Sequence, residues 1–410
     1  IDRAFHDWPA GIDSLDGPRI RAFLKARRND LVSYAKEYYA LMAKEVFIPA
    51  TADKDVIQLD AVDPNTLRVT VQRLDDNKAY THYQRVFNDD VTKEVRLFGL
   101  NKQDSVIMTG EGNPSIKIRF VGGSGKDKLT NTSARLTALA YDSPDGMQVV
   151  GSAKKHLNDL PLNNTYDRRD WNLNRDFDFI TPTFYTDEGI GINYAYWWTR
   201  YGFRSDPFKS KHTAGLSYFF GTGSFIGKYN GLWLHAPGQF DLGMNVFFSG
   251  PTYTQYFYGF GNTYVNFDEK RDFHIVSGSQ IDLSPSLRKR FGTGNSISLT
   301  PTYQFINIED ENDEPRFIYD SLQSGLTQED FGERHYLGAT LSYAFSRLDN
   351  AGFPSRGLEL GTWIGGRTSL TGESIQHGIV GAEASLYIPF DVSNTFVFAT
   401  HIGVDKILGD

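Results

Sequence analysis

From residue 177 onward, the chain alternates apolar residues with small or polar ones. A period of two residues is typical of β-strands, in which successive side chains point to opposite faces. Here one face is apolar, with aromatic residues toward the strand ends, and the other is rich in Gly, Ser, Thr and Gln. The apolar positions expected to face lipid include Leu337, Leu341, Tyr343, Ile297, Leu299 and Phe305.

The same alternation would also suit a soluble β-sandwich, but three features favour a membrane barrel. The strands are long, about 9–11 residues, and their second face suits a wet lumen. Connections alternate between short ones (221–223 and 237–238) and a long charged one (309–334), as periplasmic turns and extracellular loops do. We therefore predict an antiparallel transmembrane β-barrel over 177–410, with about eleven or twelve strands.

The chain ends directly after one of these strands, at Ile407–Asp410. An open sheet exposes unpaired backbone groups to lipid, which is not viable in a bilayer. We therefore expect the barrel to be incomplete in this chain, with its last strands missing.

Residues 1–50 are predicted to be helical. Asp16 is a candidate cap and Pro18 suits a first helical turn. Apolar stripes follow on either side of Asn29, and Pro49 ends the segment.

Residues 51–150 change to short period-two strands, which predicts a small β-domain or a short β-solenoid with Gly/Asp turns. The stretch VGGSGKDKLT (121–130) fits one nonapeptide of a calcium-binding β-roll. A looser copy lies 23 residues upstream, which makes Asp104 and Asp127 weak calcium candidates. One copy cannot supply a calcium shell, so we favour structural turns. The polar segment 151–176 is predicted to be a linker.

The amino-acid composition argues against several classes of function. The net charge of −8 argues against nucleic-acid binding. The absence of cysteine excludes disulfides and thiolate chemistry. No run of about 20 apolar residues is present. The nine histidines form no metal-ligand pair, and the acidic run 309–314 suits a solvated loop better than a cation site. We predict no enzyme in this segment and no cofactor.

One stretch carries a more specific pattern. RLDNAGFPSRGLELG (347–361) resembles the strand–turn–strand motif of the BamA/TamA outer-membrane assembly superfamily, the bacterial surface-antigen barrels, with its D-x-x-x-F-P-x-x-G spacing. Its motif positions are Asp349, Phe353, Pro354 and Gly357. LYIPFD (386–391), TFVFATHIGVD (395–405), FYGFGN (257–262) and YGFRSDPFK (201–209) follow the same family in order and spacing.

Residues 1–150 do not resemble the POTRA repeats of such barrels. They resemble the middle region of a branch in which a metallophosphoesterase precedes the barrel. No phosphoesterase metal motifs occur together here. If such an enzyme belongs to the full protein, it lies before Ile1.

The resemblance implies that the protein handles polypeptides at the bacterial outer membrane, by insertion or translocation. Its partners would be outer-membrane lipid and client polypeptides or partner outer-membrane proteins, with residues 1–176 in the periplasm. The first strand, 177–185, would form a lateral seam at which a client strand pairs. The seam positions are Phe177, Phe179, Thr181, Pro182, Thr183 and Tyr185.

Two alternatives remain open from the sequence. The barrel could be an anchor or export pore for a fused metallophosphoesterase, or it could be a passive channel. Pro182 lacks one ladder donor, which suits a weakly paired seam and an ordinary edge strand equally.

Overall fold

The computed structural model describes residues 1–75, 78–159, 161–170, 172–260, 270–308, 315–371, 376–391 and 396–409. It divides into two compact units, Ile1–Trp171 and Asn172–Asp410. The first contains a long helix and a β-solenoid, and the second is one large antiparallel sheet. The predicted class, a mostly β protein, is confirmed.

The first unit contains three helices, one parallel sheet and one mixed sheet over its described residues. The helices are α1 (Asp2–Phe5), α2 (Ala10–Met42) and α3 (Pro161–Asn164). The strands are β1 (Glu45–Pro49), β2 (Asp55–Asp63), β3 (Thr66–Asp75), β4 (Lys78–Asn88), β5 (Glu94–Phe98), β6 (Ser105–Gly110), β7 (Lys117–Val121), β8 (Asp127–Asn131), β9 (Ala138–Asp142), β10 (Met147–Val150) and β11 (Ala153–Leu157).

Helix α2 differs from the prediction at its start and at its end. Pro18 lies inside the helix and not in its first turn, and Asp16 caps nothing. Because Gly17 has no side chain, Arg21 has room to donate a hydrogen bond to Asp13 at 2.8 Å. This ion pair spans the helical turn that contains Pro18, in which one backbone hydrogen bond is missing because proline has no N–H. The helix ends at Met42, and β1 occupies the last positions predicted to be helical because it adds in parallel to β5.

Successive strands after β4 alternate between the two sheets, so the chain winds as a solenoid. One sheet has the order β1-β5-β7-β9-β11 and the other β10-β8-β6-β2-β3-β4, in which β3 and β4 form an inserted hairpin. Glu94 pairs with Lys117 and Ser105 pairs with Lys128. The 23-residue spacing between the two Gly/Asp turns is therefore one coil of the solenoid.

The space between the two sheets is filled by inward apolar side chains. Its fully buried members include Ile57, Leu59, Leu67, Val69, Leu97, Met108, Ile118, Phe120 and Leu129. At about 1.5–3 kcal/mol for each buried aliphatic or aromatic side chain, this core is the main source of stability of the unit.

The segment predicted as a linker is partly regular. Strand β11 extends the first sheet by pairing in parallel with β9, and α3 follows it. Its sequence looks patternless because β11 is an edge strand whose two lysines, Lys154 and Lys155, are exposed. Strand β12 then begins at Arg175, two residues before the predicted start.

Over its described residues, the second unit consists of a sheet of 12 strands with one short α-helix, α4 (Ser321–Ser324). Its strands are β12 (Arg175–Tyr185), β13 (Gly189–Arg200), β14 (Ser210–Phe219), β15 (Phe225–Trp233), β16 (Phe240–Ser249), β17 (Thr254–Tyr256), β18 (Ile275–Phe291), β19 (Asn295–Ile308), β20 (Gly332–Leu348), β21 (Gly357–Ser369), β22 (Gln376–Pro389) and β23 (Val397–Leu408).

These strands pair antiparallel with their neighbours along the chain, and β17 adds to β18 beside the main path. The register places apolar positions opposite one another, for example Leu299 opposite Leu341 and Ile297 opposite Tyr343. Leu337 and Phe305 lie on this same face. The predicted apolar positions therefore form one continuous surface.

The assignment of the short connections to one end of the sheet was wrong. Because consecutive strands are antiparallel, connections fall alternately at two ends. Residues 220–224 lie at the same end as the described loop segments 250–260, 270–274 and 315–331, and residues 234–239 lie at the other end. The length of a connection therefore does not identify its end.

No helix in the described part of the chain is long and apolar enough to cross a membrane.

Candidate functional site

The predicted seam strand lies at one border of the sheet. Over the described residues, β12 pairs with β13 and with no other strand, and β23 occupies the opposite border. The register runs from Arg175 opposite Thr199 to Tyr185 opposite Gly189. All six seam positions therefore belong to a strand with one free edge, which is the surface on which another strand can add.

The seam positions do not share one face. Five of them, namely Phe177, Phe179, Thr181, Thr183 and Tyr185, lie on the face opposite to the apolar surface, whereas Pro182 is opposite Ile192 on the apolar surface.

The polar face of this sheet is aromatic near β12. The Trp197 ring lies 4.9 Å from Phe179 and 5.8 Å from Phe177, in both cases stacked. Alternation alone predicted small or polar residues here. The sequence does show that these positions are aromatic. However, the number of apolar residues in a strand does not indicate on which face of the sheet each side chain lies.

Farther along the same face, charged side chains are held in pairs. Asp241, which is buried, lies 3.2 Å from Arg288 and 2.9 Å from Arg290. Gln280 and Gln304 donate to the two oxygens of Asp282, at 2.6 and 2.7 Å. Ion pairs and amide hydrogen bonds lower the cost of charged groups on a membrane-embedded strand. Sequence reasoning missed this network, because its members lie on three different strands, β16, β18 and β19.

A cavity of about 410 Å³ opens beside this network. It is lined by side chains of β14, β15, β16, β18 and β19, among them Lys211, Asn230 and Asn245. Most of the side chains that line it are polar or charged, which suits a hydrated space better than an apolar ligand pocket.

At the end of the sheet that carries the long loops, a buried carboxylate ties connections together. Glu188 accepts hydrogen bonds from the hydroxyls of Thr222 and Ser224, and from the backbone N–H of Thr254 at 2.6 Å. Nearby, Phe317 is fully buried and contacts the His274 ring at 5.1 Å. These contacts give the loops around 254–274 and 316–324 a small core of their own.

The turn between β20 and β21 holds the predicted motif positions, and its geometry explains their spacing. Asp349 accepts hydrogen bonds from the backbone N–H groups of Asn350, Ser355 and Arg356 at 2.9–3.0 Å and from the Ser355 hydroxyl. The Ser355 hydroxyl and these N–H groups lower the pKa of Asp349 to about 2. A carboxylate at this position therefore organises the whole turn.

The other motif residues have distinct places in the turn. Gly357 takes a φ of +141°, and a side chain there would collide with the backbone of Arg347. Phe353 is 89% exposed at the tip of the turn. The motif therefore combines an anchor, a sterically required glycine and a protruding aromatic residue.

The two calcium candidates stack on each other at one corner of the solenoid, with their side chains buried. The backbone N–H of Asp104 donates to Oδ1 of Asp127 at 2.8 Å. Positive φ angles recur in both turns, at Leu100 and Lys102 and again at Gly123 and Gly125. Within the ranges that the structure describes, no group of three or more His, Asp or Glu side chains is placed to hold a metal ion. The acidic run 309–314 lies outside the described residues.

Comparison with protein families matches residues 219–409 to the Omp85 superfamily domain. Among solved structures, the chain is similar to BamA from Haemophilus ducreyi, in a crystal structure lacking POTRA domains 1–3. The sequence identity is 15% and the TM-score 0.37, and the match covers 65% of this chain and 44% of that one. The chain thus spans less than half the length of that BamA chain. No curated protein matches it.

The matched range contains the turn motif at 349–357 and β15–β23, whereas β12 and β13 precede it. The predicted fold class, a mostly β chain with a large antiparallel sheet preceded by a helical and β-stranded domain, is confirmed. The chain is therefore similar to the Omp85 superfamily over residues 219–409, slightly less than half of its length.

Proposed function

We propose that the protein acts on polypeptides at the outer membrane, inserting barrel proteins or translocating chains. The observation that carries the proposal is the free edge of β12, the first strand of a sheet whose later strands match the Omp85 superfamily domain. An exposed row of backbone donors and acceptors is a template for another strand. In lipid, an unpaired backbone group costs several kcal/mol, because no water is present to form a hydrogen bond with it. A client strand that pairs with β12 obtains these backbone hydrogen bonds from the edge of the sheet.

In this mechanism the client adds beside β12 by β-augmentation. Its apolar side chains would continue the surface of Ile180 and Pro182, and its other face would continue that of Phe177, Phe179 and Trp197. Pro182 offers no N–H to either neighbour, which weakens the strand as a permanent partner. The proposed roles of the seam residues are to pair transiently with clients and to release them.

The proposed orientation places residues 1–176 in the periplasm. The chain enters β12 at the end of the sheet that carries the turns 201–209, 234–239, 292–294 and 349–356. The loops 250–274 and 309–331 would then face the cell exterior. Partner proteins on the periplasmic side and clients at the seam are parts of this proposal.

An export or anchoring role is the second candidate. It is favoured by the polar face, where Asp241 pairs with Arg288 beside a cavity of about 410 Å³. A passage lined in this way suits water and polar chains. A metallophosphoesterase fused upstream would be the natural cargo, and a passive channel is the simplest form of this alternative.

The first test is a site-specific photo-crosslink in growing cells. A photoreactive residue replaces Ile180, on the free-edged strand, or Leu341, on a strand with neighbours at both sides. Both side chains lie on the apolar surface. Newly made outer-membrane barrel proteins should crosslink at position 180 and not at position 341. Equal crosslinking at the two positions would contradict the seam.

Depletion of the protein separates the functions. Loss of folded barrel proteins from the outer membrane supports insertion. Normal barrel proteins with loss of a surface-displayed segment support export or anchoring. If neither changes and only solute uptake falls, the passive channel remains and the leading proposal is wrong.

A further inference from the structure

One corner of the solenoid holds a column of four aspartates, which we call the aspartate column: Asp55, Asp104, Asp127 and Asp142. Each is at most 2% exposed. They follow one another from coil to coil along the solenoid. Four carboxyl groups stacked out of contact with water form an arrangement that repels itself when all are ionised.

In each aspartate of the column, one oxygen has a hydrogen-bond donor. Asp104 Oδ1 accepts from the backbone N–H of Asp55, and Asp127 Oδ1 from that of Asp104, both at 2.8 Å. Asp55 accepts from the N–H and hydroxyl of Thr51 at 2.8 Å. These bonds explain the structural use of aspartate at the corner.

Asp142 closes the column beside α3. Its Oδ1 accepts from the backbone N–H of Ser143 at 2.7 Å and from the Asn164 amide at 2.9 Å. The helix therefore contributes an amide and no positive charge.

The second oxygen of each aspartate is buried and has no partner. The free oxygens of Asp127 and Asp142 both crowd the Cα of Gly122, where a side chain would collide with each. The free oxygen of Asp104 crowds Gly99 in the same way, next to the carbonyl oxygen of Gly122. The unpartnered oxygens of Asp104, Asp127 and Asp142 thus converge on each other or on a carbonyl, and a proton between such oxygens makes these contacts favourable.

Within the described residues, the charges that act on Asp104 and Asp127 come from other aspartates of the column. The charges acting on Asp104 are those of Asp127 and Asp55. The lysines of the same corner, Lys102, Lys126 and Lys128, have exposed side chains. Among the described residues, no ion pair reaches any of the four aspartates. Burying an ionised carboxylate without a counter-charge costs so much that the group takes up a proton instead.

We propose that the aspartate column is a proton-binding site. Asp104 is a neutral acid that donates toward the Gly122 carbonyl, and Asp127 and Asp142 share one proton between their free oxygens. When these protons are bound, hydrogen bonds link successive coils of the solenoid. Without them, negatively charged carboxylates would repel one another.

The electrostatics agree with this geometry. Burial, opposed by the N–H of Asp55 and aided by the neighbouring carboxylates, raises the pKa of Asp104 to about 8. Burial raises the pKa of Asp127 and of Asp142 as well. The folded solenoid therefore keeps protons that an unfolded chain releases above its ordinary aspartate pKa of 3.8. Stability conferred by these protons is present in acid and is lost as the pH rises from about 4 toward about 8.

The test is hydrogen exchange of the full chain in detergent micelles, followed by mass spectrometry on peptides covering 94–131. After correction for intrinsic exchange, the opening constant of the wild-type solenoid should rise between pH 5 and pH 8. The slope should be about tenfold per pH unit for each proton retained. A pH-independent opening constant would overturn the proposal.

Two variants locate the effect, with a matched control. Asp104→Asn and Asp127→Asn keep an oxygen acceptor and replace the proton by an amide donor, so each should lower the slope. Asp145→Asn, an exposed aspartate of the same corner, should leave it unchanged. Equal slopes in all three variants would contradict the assignment.

If the variants do not fold, the infrared band of protonated carboxyl groups in the wild-type chain still tests whether the column binds protons. The band should be present at pH 6 and lost by pH 9. The alternative occupant is a cation. If millimolar calcium, but not magnesium, slows exchange at pH 8 and removes the carboxyl band at pH 6, the column binds calcium and the proton assignment is wrong.

Discussion

At the scale of single residues, Gly122 and Asp349 show two ways in which one side chain controls a turn. Gly122 lacks a Cβ where two carboxyl oxygens converge. Asp349 supplies a carboxylate where three N–H groups converge. Both positions are recognisable in sequence, as glycine and aspartate in turns, but only the structure gives the reason for each.

We predict that Gly122→Ala destabilises the solenoid by about 1–3 kcal/mol, because the added methyl group overpacks a filled corner. Gly11→Ala is the control, since nothing lies within 4 Å of its Cβ position. Urea unfolding of residues 1–171, followed by exchange of peptides in the core, measures the difference. Equal midpoints for the two variants would show that the corner has space.

We predict that protection of the turn from hydrogen exchange decreases from the wild type to Asp349→Asn and then to Asp349→Ala. The asparagine amide keeps one acceptor oxygen, whereas alanine has none. Exchange of the N–H groups of Ser355 and Arg356 at pH 7 should be roughly tenfold faster in the alanine variant. The lowered pKa means that the carboxylate anchor is present above pH 3.8 and is lost only as the pH falls toward about 2. Protection that already declines at pH 5 would contradict this anchor.

At the scale of elements, the faces of the strands in the second unit are fixed by their register. Leu341 and Thr340 are neighbours near the middle of β20, and their side chains point to opposite faces. The apolar face has large exposed side chains, whereas the polar face carries paired charges.

Leu341→Arg should therefore cost about 2–4 kcal/mol of folding free energy in lipid vesicles, as arginine does at the midplane of a lipid-facing surface. Thr340→Arg serves as the control and should cost clearly less, because that face can hydrate the charge. Urea titration of the vesicle-embedded chain compares them. Should the threonine variant be the more damaged one, the two faces are exchanged.

At the scale of the whole molecule, antiparallel connectivity assigns every connection to one of two ends. Leu322 and Phe353 are 97% and 89% exposed and lie at opposite ends of the second unit. Because the chain has no cysteine, each position can receive the single thiol of the protein.

We predict that Leu322→Cys reacts with a membrane-impermeant maleimide in intact cells, whereas Phe353→Cys reacts only after the outer membrane is permeabilised. Detergent-solubilised protein should label fully at both sites, which controls for local reactivity. The reverse pattern in intact cells would place residues 1–176 outside and contradict the proposed orientation.

A feature of this protein can be predicted from the sequence when the residues that determine it lie close together along the chain. Period-two alternation placed Leu299 and Leu341 on one apolar face, because a strand sets its two faces locally. The turn motif at Asp349 and Gly357 was also recognisable, since all its hydrogen bonds form within nine residues. The 23-residue spacing of the Gly/Asp turns was visible, but its meaning as one coil was not.

The sequence by itself determined the β class of the chain, the apolar face of its long strands and the absence of thiol chemistry. Each follows from local pattern or composition. Only the tertiary structure decided that Asp104 and Asp127 are stacked and buried, and that β11 continues a parallel sheet. It also decided that the turns 220–224 and 234–239 lie at opposite ends. These features depend on which distant strands pair, and pairing is selected by the packing of the whole sheet, which no local window of sequence contains.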